Sequence, residues 1–203
     1  SFVTGATMSN FVNLAVAREW AGQRLGVSVA EEGLDGRTDG IRILSGSPHS
    51  SVVKSLAQLG FGRARMELIP TLPGREAVDP SALRRALAAA PDRPTIIVGS
   101  AGTVNTVDFD DLHALADLRD EFDAWLHIDG AFGAFAALSP DHAALTDGID
   151  RADSVTLDLH KWLNVPYDSA VQYTRHPELQ LQTFRNSAAY LGEIGDRPDF
   201  VHL

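Results

Sequence analysis

The chain has two lysines, and one of them stands where it could do chemistry. Lys161 follows the apolar run Asp153-Ser154-Val155-Thr156-Leu157-Asp158, within Leu159-His160-Lys161-Trp162. A lysine at the end of a buried strand is poorly solvated, which favours its neutral amine, and a neutral amine can form a Schiff base with an aldehyde. The plain alternative is a surface lysine whose stem runs out past Trp162. The other lysine, Lys54, falls on the helix after His49 with no reason to be buried. Asp129 ends the run Trp125-Leu126-His127-Ile128. Period two places His127 and Asp129 on one face. A carboxylate there needs a positive partner. A protonated ring nitrogen would serve, and the pairing would make that ring an electron sink. Asp129 could equally cap the next turn or ligate a metal. Gly5-Ala6-Thr7-Met8-Ser9-Asn10 opens a helix. Free N–H groups and the helix dipole favour an anion there, with the Thr7 hydroxyl beside it, unless Thr7 or Ser9 acts only as a cap. His49, in Ser47-Pro48-His49-Ser50-Ser51, stands between a strand and a helix, where an imidazole could stack on a planar ligand or face solvent. Thr103 sits on a Gly-permitted turn, Ala101-Gly102-Thr103-Val104, and could donate a hydrogen bond outward or serve the turn.

These residues share one kind of position, the segment just after a strand. The strands are predicted from short β-branched runs at Ile41 to Leu44, Met66 to Ile69, Thr95 to Val98, Trp125 to Ile128 and Ser154 to Leu157. Helical spacing covers Met8 to Leu25, Ser51 to Leu59, Pro80 to Ala90 and Asp108 to Phe122. Asp79-Pro80 supplies an N-cap followed by proline at the first helical position. Ala30 to Gly40 is polar and Gly-rich and reads as a surface loop. Strands alternating with helices predict βαβ crossovers, so the fold class is three-layer α/β: a mainly parallel sheet with helices on both faces. In such sheets ligands sit beyond the carboxyl ends of the strands, where these residues cluster.

Composition excludes several function classes. The 203 residues are 44% hydrophobic and 22% charged, an ordinary globular balance that sets aside disorder, collagen and coiled coil. There are no cysteines, which removes disulfide scaffolds, thiol catalysis, Cys-ligated zinc and iron–sulfur clusters and is compatible with a cytoplasmic location. A net charge of -10 argues against a nucleic-acid partner. No run approaches the roughly 18 apolar residues of a membrane span, so no membrane partner is expected. No leader is visible. The chain opens on Ser1-Phe2-Val3-Thr4-Gly5, as if partway through a strand-to-helix turn with no strand before the first helix, and stops at Phe200-Val201-His202-Leu203. A piece of a longer protein is expected, inactive and prone to associate when isolated.

A helix start for phosphate, a stacking His49, Asp129 for a ring nitrogen and Lys161 for an aldehyde together describe a site for pyridoxal 5'-phosphate. Their order and spacing, from Thr4-Gly5-Ala6-Thr7 through His49-Ser50-Ser51, Ser100-Ala101-Gly102-Thr103 and His127-Ile128-Asp129-Gly130-Ala131 to His160-Lys161-Trp162-Leu163, carry a family resemblance over nearly the whole chain. The chain resembles the group II pyridoxal-phosphate-dependent amino-acid decarboxylases, of the aspartate-aminotransferase-like fold type I. The His-Lys-Trp run after Asp-Ser is its most specific element. The resemblance implies that Lys161 carries the cofactor as a Schiff base, Asp129 pairs with the pyridine nitrogen and Ala131 packs against the ring. It implies that His49 stacks on the ring and Thr103 approaches the phenolic oxygen. Ala6 and Thr7 would hold the phosphate with help from His160. Asp158 stands where some relatives place an Asn that touches the phosphate. A carboxylate would be repelled there, so a bond to a protonated neighbour or to the Thr7 hydroxyl is expected instead. The resemblance further implies an amino-acid substrate, a homodimer, and residues 1–203 as the large domain, incomplete at both ends and without the small C-terminal domain.

Other reactions on the same scaffold stay open, namely transamination and oxidative deamination to an aldehyde. The second draws on Phe200, which follows the loop-like Gly192 to Asp199 where a relative's proton-donating Tyr would fall. Phe has no proton to give, although His202 or a water could supply one. A metal-dependent hydrolase built from His127, Asp129, Asp158 and His160 is the reading from a different class. A catalytically dead interaction module is another.

Overall fold

The computed structural model describes residues 1–186 and 188–191; Gly192 to Asp199, Phe200 and His202 lie outside the described residues. Among those described, β1 (Phe2–Val3), β2 (Arg42–Ser45), β3 (Met66–Leu68), β4 (Thr95–Ser100), β5 (Trp125–Asp129), β6 (Ser154–Asp158) and β7 (Ala170–Thr174) form one sheet. Their spatial order is β1-β7-β6-β5-β4-β2-β3. The pairings from β3 through β6 are parallel, and β7 runs antiparallel to both β6 and β1.

Six α-helices accompany the described sheet: α1 (Ala6–Arg24), α2 (Val29–Glu32), α3 (Ser50–Gln58), α4 (Pro80–Ala88), α5 (Leu112–Glu121) and α6 (Pro177–Phe184). Two cores result. Leu14 and Val16 of α1 and Val52 and Leu56 of α3 pack with Ile96, Val98 and Trp125 on one face of the sheet. Leu83 and Leu87 of α4 and Leu112, Leu115 and Leu118 of α5 pack with Ile97, Leu126 and Ile128 on the other. The strand residues divide by the two-residue period. Each fully buried leucine or isoleucine contributes about 1.5–3 kcal/mol of transfer free energy. This is the expected three-layer α/β architecture.

The differences from the sequence reading have local causes. The helix predicted from Asp108 begins at Leu112, because Asp111 is its N-cap, accepting from Ala114 N at 2.9 Å. Asp108 and Asp110 instead accept backbone N–H groups of Glu76, Ala77, Val78 and Ser100, and so tie two loops together. The loop predicted over Ala30 to Gly40 begins in α2, pinned by Ala30 N donating to the buried Glu19, and contains a 3₁₀ turn over Gly36–Gly40 held by an Asp35–Thr38 capping box. The first helix does have a strand before it, since β1 pairs with β7. Neither β7 nor α6 was anticipated.

The topology places the site. The chain runs from β2 outward to β3, then crosses back to lay β4 on the other side of β2. Such a reversal opens a crevice beyond the carboxyl ends of the strands on either side of it.

Candidate active site

The carboxyl ends of β2, β4, β5 and β6 and the N-termini of α1 and α3 surround a cleft of about 820 Å³. Ala6, Thr7, His49, Thr103, Asp129, Ala131, Asp158, His160 and Lys161 all line it. Close backbone packing helps gather them. Gly102 has φ +85°, and a Cβ there would lie 2.9 Å from the Gly133 nitrogen, so only glycine brings the turn after β4 against the turn after β5.

Lys161 ends the 3₁₀ turn Leu159–Lys161 that follows β6. Its Nζ lies 3.6 Å from Asp158 Oδ2, with the side chain 32% exposed. Trp162 does not carry it outward: the indole Nε1 donates to Phe132 O at 2.6 Å and anchors the turn. His160 Nδ1 lies 2.9 Å from Asp158 Oδ1, yet neither atom has a hydrogen-bond partner. The His160 ring stacks against Tyr167, centroids 4.2 Å apart. Asp158 therefore lies beside His160 and Lys161 without a hydrogen bond to either, so the expected bond to a protonated neighbour is not made here.

Asp129 is nearly buried at the end of β5. Asn10 Nδ2 donates to its Oδ2 at 3.0 Å and Ala131 N donates to its Oδ1 at 3.2 Å. Both donors are neutral, so the carboxylate meets no cation in these bonds. His127, on the same face, is fully buried, with Nε2 2.9 Å from Asn10 Oδ1 and Nδ1 2.9 Å from Ser154 Oγ. Burial pushes its imidazole down to about 4, against the opposing pull of Asp129. Both ring nitrogens are thus engaged inside the protein, which removes His127 from the hydrolase reading. Among the described residues no three His, Cys, Asp or Glu side chains converge as a metal cluster would.

The start of α1 points its first N–H groups at the cleft. Gly5 is its N-cap and makes no side-chain cap, the first turn holds no acid, and the first backbone bond is Ser9 N to Gly5 O at 3.0 Å. The capping alternative for Thr7 or Ser9 is therefore not realised, because the Ser9 hydroxyl turns to Thr156 and Val171. His49 is the exposed N-cap of α3, its Nδ1 accepting from Ser51 N at 3.2 Å and contacting Ser51 Oγ at 2.7 Å. The Thr103 hydroxyl donates to Glu76, which also accepts from Thr106 Oγ1 at 2.6 Å and Asn105 Nδ2 at 3.1 Å. The Thr103 bond, then those from Thr106 and Asn105, hold the Glu76 carboxyl down at about 2. Asn10, Ser51, Glu76 and Tyr167 were missed as site residues. The first three are neutral or isolated in sequence; only the fold brings Ser51 and Glu76 to the cleft wall and Asn10 behind it, against Asp129.

The model of the pyridoxal-dependent decarboxylase conserved domain matches residues 2–202. The aromatic-L-amino-acid decarboxylase of Bacillus atrophaeus is 35% identical over 193 residues, covering 94% of this chain and 38% of that protein. The aspartate 1-decarboxylase of Aliivibrio fischeri is 32% identical over 207 residues, covering 97% of this chain and 38% of that protein. The crystal structure of Oryza sativa TDC with PLP and tryptamine superposes with a TM-score of 0.84 at 26% identity, over 95% of this chain and 39% of that one. The chain belongs to the pyridoxal-dependent decarboxylase family, and it spans about 38% of the length of these relatives.

The residues present fit the family's cofactor. An uncapped helix start suits a phosphate, a carboxylate bonded only to neutral donors suits a protonated ring nitrogen, and a lysine amine opens onto the same cleft.

Proposed function

We propose that residues 1–203 are the cofactor-binding part of the large domain of an enzyme that decarboxylates an L-amino acid with pyridoxal 5'-phosphate. One observation carries the reading: the Lys161 amine, the Asp129 carboxylate and the open start of α1 face a single cleft. When bound, the cofactor supplies an aldehyde for an amine to condense with and a ring that accepts the electron pair released at the substrate's α-carbon.

The chain's own residues then have separable tasks. Lys161 would hold the cofactor covalently. Asp129 would keep a proton on the pyridine nitrogen, its own position set by Asn10 and Ala131. Ala6, Thr7 and the free N–H groups of α1 would hold the phosphate, with His160 beside them. His49 would lie over one face of the ring and Ala131 against it. Thr103 would stand at the phenolic side with its proton committed to Glu76. Asp158, 2.9 Å from His160 Nδ1 and 3.6 Å from Lys161 Nζ, would face these two groups instead of touching the phosphate. At the rim Val104 and Tyr167 are 73% and 80% exposed, an apolar surface that a second copy in a homodimer would cover.

Borohydride reduction of the full-length protein followed by peptide mass spectrometry tests the assignment. A pyridoxyl adduct on Lys161 is expected; an adduct on Lys54, or none, overturns it. Incubation with a panel of L-amino acids tests the reaction, with amine and carbon dioxide expected in equal amounts. Aldehyde and peroxide with little amine, or amino transfer without carbon dioxide, would overturn decarboxylation.

A further inference from the structure

Asn10 lies on the second turn of α1, fully buried, and its carboxamide has four hydrogen-bonding positions, all used. Nδ2 is 3.0 Å from both Asp129 Oδ2 and Ser51 Oγ. Oδ1 is 2.7 Å from Thr156 Oγ1 and 2.9 Å from His127 Nε2. A carboxylate only accepts, so the amide nitrogen must be the atom facing Asp129. The remaining protons follow in sequence. His127 carries its hydrogen on Nε2. Its Nδ1 accepts from Ser154, whose oxygen receives the Trp125 indole N–H at 3.1 Å. Ser51 Oγ accepts from Asn10, which leaves its own hydrogen for His49 Nδ1. The Ser51 backbone N–H arrives at that same nitrogen and decides the direction, since a protonated Nδ1 would face it donor to donor. His49 Nδ1 is therefore an acceptor, and the neutral ring bears its hydrogen on Nε2.

We infer that Asn10 is a positioning residue that holds the Asp129 carboxylate with one amide proton and, through Ser51, orders the His49 ring with the other. One side chain thereby couples the two groups set around the cleft. In this arrangement the other ring nitrogen, Nε2, is a hydrogen-bond donor and not an acceptor. That the coupled groups act on a cofactor rests on the function proposed above; the proton arrangement does not.

The test uses full-length protein labelled with ¹⁵N-histidine, with the His49 signals identified by their loss in His49→Gln. Long-range ¹H–¹⁵N spectra of the cofactor-free protein should show an unprotonated Nδ1. Its resonance should move toward that of an unbonded ring nitrogen in Ser51→Ala and in Asn10→Ala, and return in Ser51→Thr. A protonated Nδ1 in the parent protein, or a resonance indifferent to Ser51→Ala, overturns the inference even where Asn10→Ala fails to fold. Cofactor titrations form the second arm. Asn10→Ala should weaken pyridoxal 5'-phosphate binding by about 10- to 100-fold, the cost of leaving a buried polar partner unsatisfied. Ser51→Ala should add little to it, because both cut one chain of bonds. Additive losses would show two independent structural roles and overturn the coupling. If the parent protein binds no cofactor, the proposed function falls, and the spectra still decide the inference.

Discussion

Asp129 and Asp153 are both nearly buried carboxylates close to the β5–β6 pair, 8% and 1% exposed, and their surroundings differ in kind. Asp153, just before β6, is neutralised on every side: Arg119 reaches both its oxygens at 2.6 and 3.0 Å, His176 Nε2 lies at 2.9 Å and Leu126 N donates at 2.8 Å. Burial alone would raise this carboxyl, but the His176 and Arg119 hydrogen bonds outweigh it and hold it below its ordinary value. Asp129, at the other end of β5, has only an amide and a backbone N–H. A buried negative charge is costly unless paired. Where the fold supplies the cation, the carboxylate is a brace; where the fold withholds it and opens a cleft, the carboxylate is set to receive one.

The largest effect should come from removing the charge at the cleft. Asp129→Asn keeps the shape and loses an interaction worth about 3–5 kcal/mol. Turnover of the full-length enzyme should fall by about 10²- to 10⁴-fold, while its unfolding midpoint in denaturant barely moves. Near-normal turnover would make Asp129 a brace as well and erase the distinction. The reverse pattern is expected at the other site. Asp153→Ala removes the acceptor shared by the Arg119 fork, His176 Nε2 and Leu126 N, leaving Arg119 with Asp120 alone, and should cost about 3–5 kcal/mol of stability, seen as a lower unfolding midpoint. Because the folded Asp153 titrates below its unfolded value, its contribution is complete above about pH 4 and is lost as the pH falls through the lower folded value.

Asp110 sharpens the comparison, being buried, bonded only to the N–H groups of Val78 and Ser100, and not among the residues lining the cleft. Burial, partly offset by those bonds, pushes it up to about 6. The folded state then holds the proton more tightly than the unfolded one, so stability should decline by about 2–3 kcal/mol as the pH rises from about 4 to about 6. Denaturation of Asp110→Asn across that window should show the decline abolished; an unchanged slope would assign it to another group. The smallest effect belongs to an acid in water. Glu31 pairs with Arg185 at 2.6 Å with both side chains more than half exposed, and Glu31→Ala should change stability by less than about 1 kcal/mol.

The parts of this molecule that could be read from sequence are those with a local signal. Strands β2 to β6 are apolar runs, and their polar ends mark the cleft because side chains after a parallel strand have nowhere else to converge. Lys161 and Asp129 stand out as charges attached to such runs. Strand β7 carried no comparable signal: Ala170-Val171-Gln172-Tyr173-Thr174 looks half polar, and the buried Gln172 is satisfied by Asn13 of α1 at 2.8 Å and Gln180 of α6 at 3.2 Å. Asn10 and Ser51 were invisible for the same reason. They lie 41 residues apart and carry no charge, and their role exists only once α1 is laid against α3.

The position of β7 between β1 and β6 also sets an order of assembly. Ser9 at the start of α1 donates to Val171 O across a separation of 162 residues, and β1 pairs with β7. Pairings between such distant stretches exact their loop-closure entropy before they return any contact energy, and so form late. Within residues 1–203, the start of α1 is therefore synthesised well before the strand that anchors it. The end of the cleft at the start of α1 is thus bounded by a long-range pairing, which loop-closure entropy delays relative to the parallel strands β2 to β5.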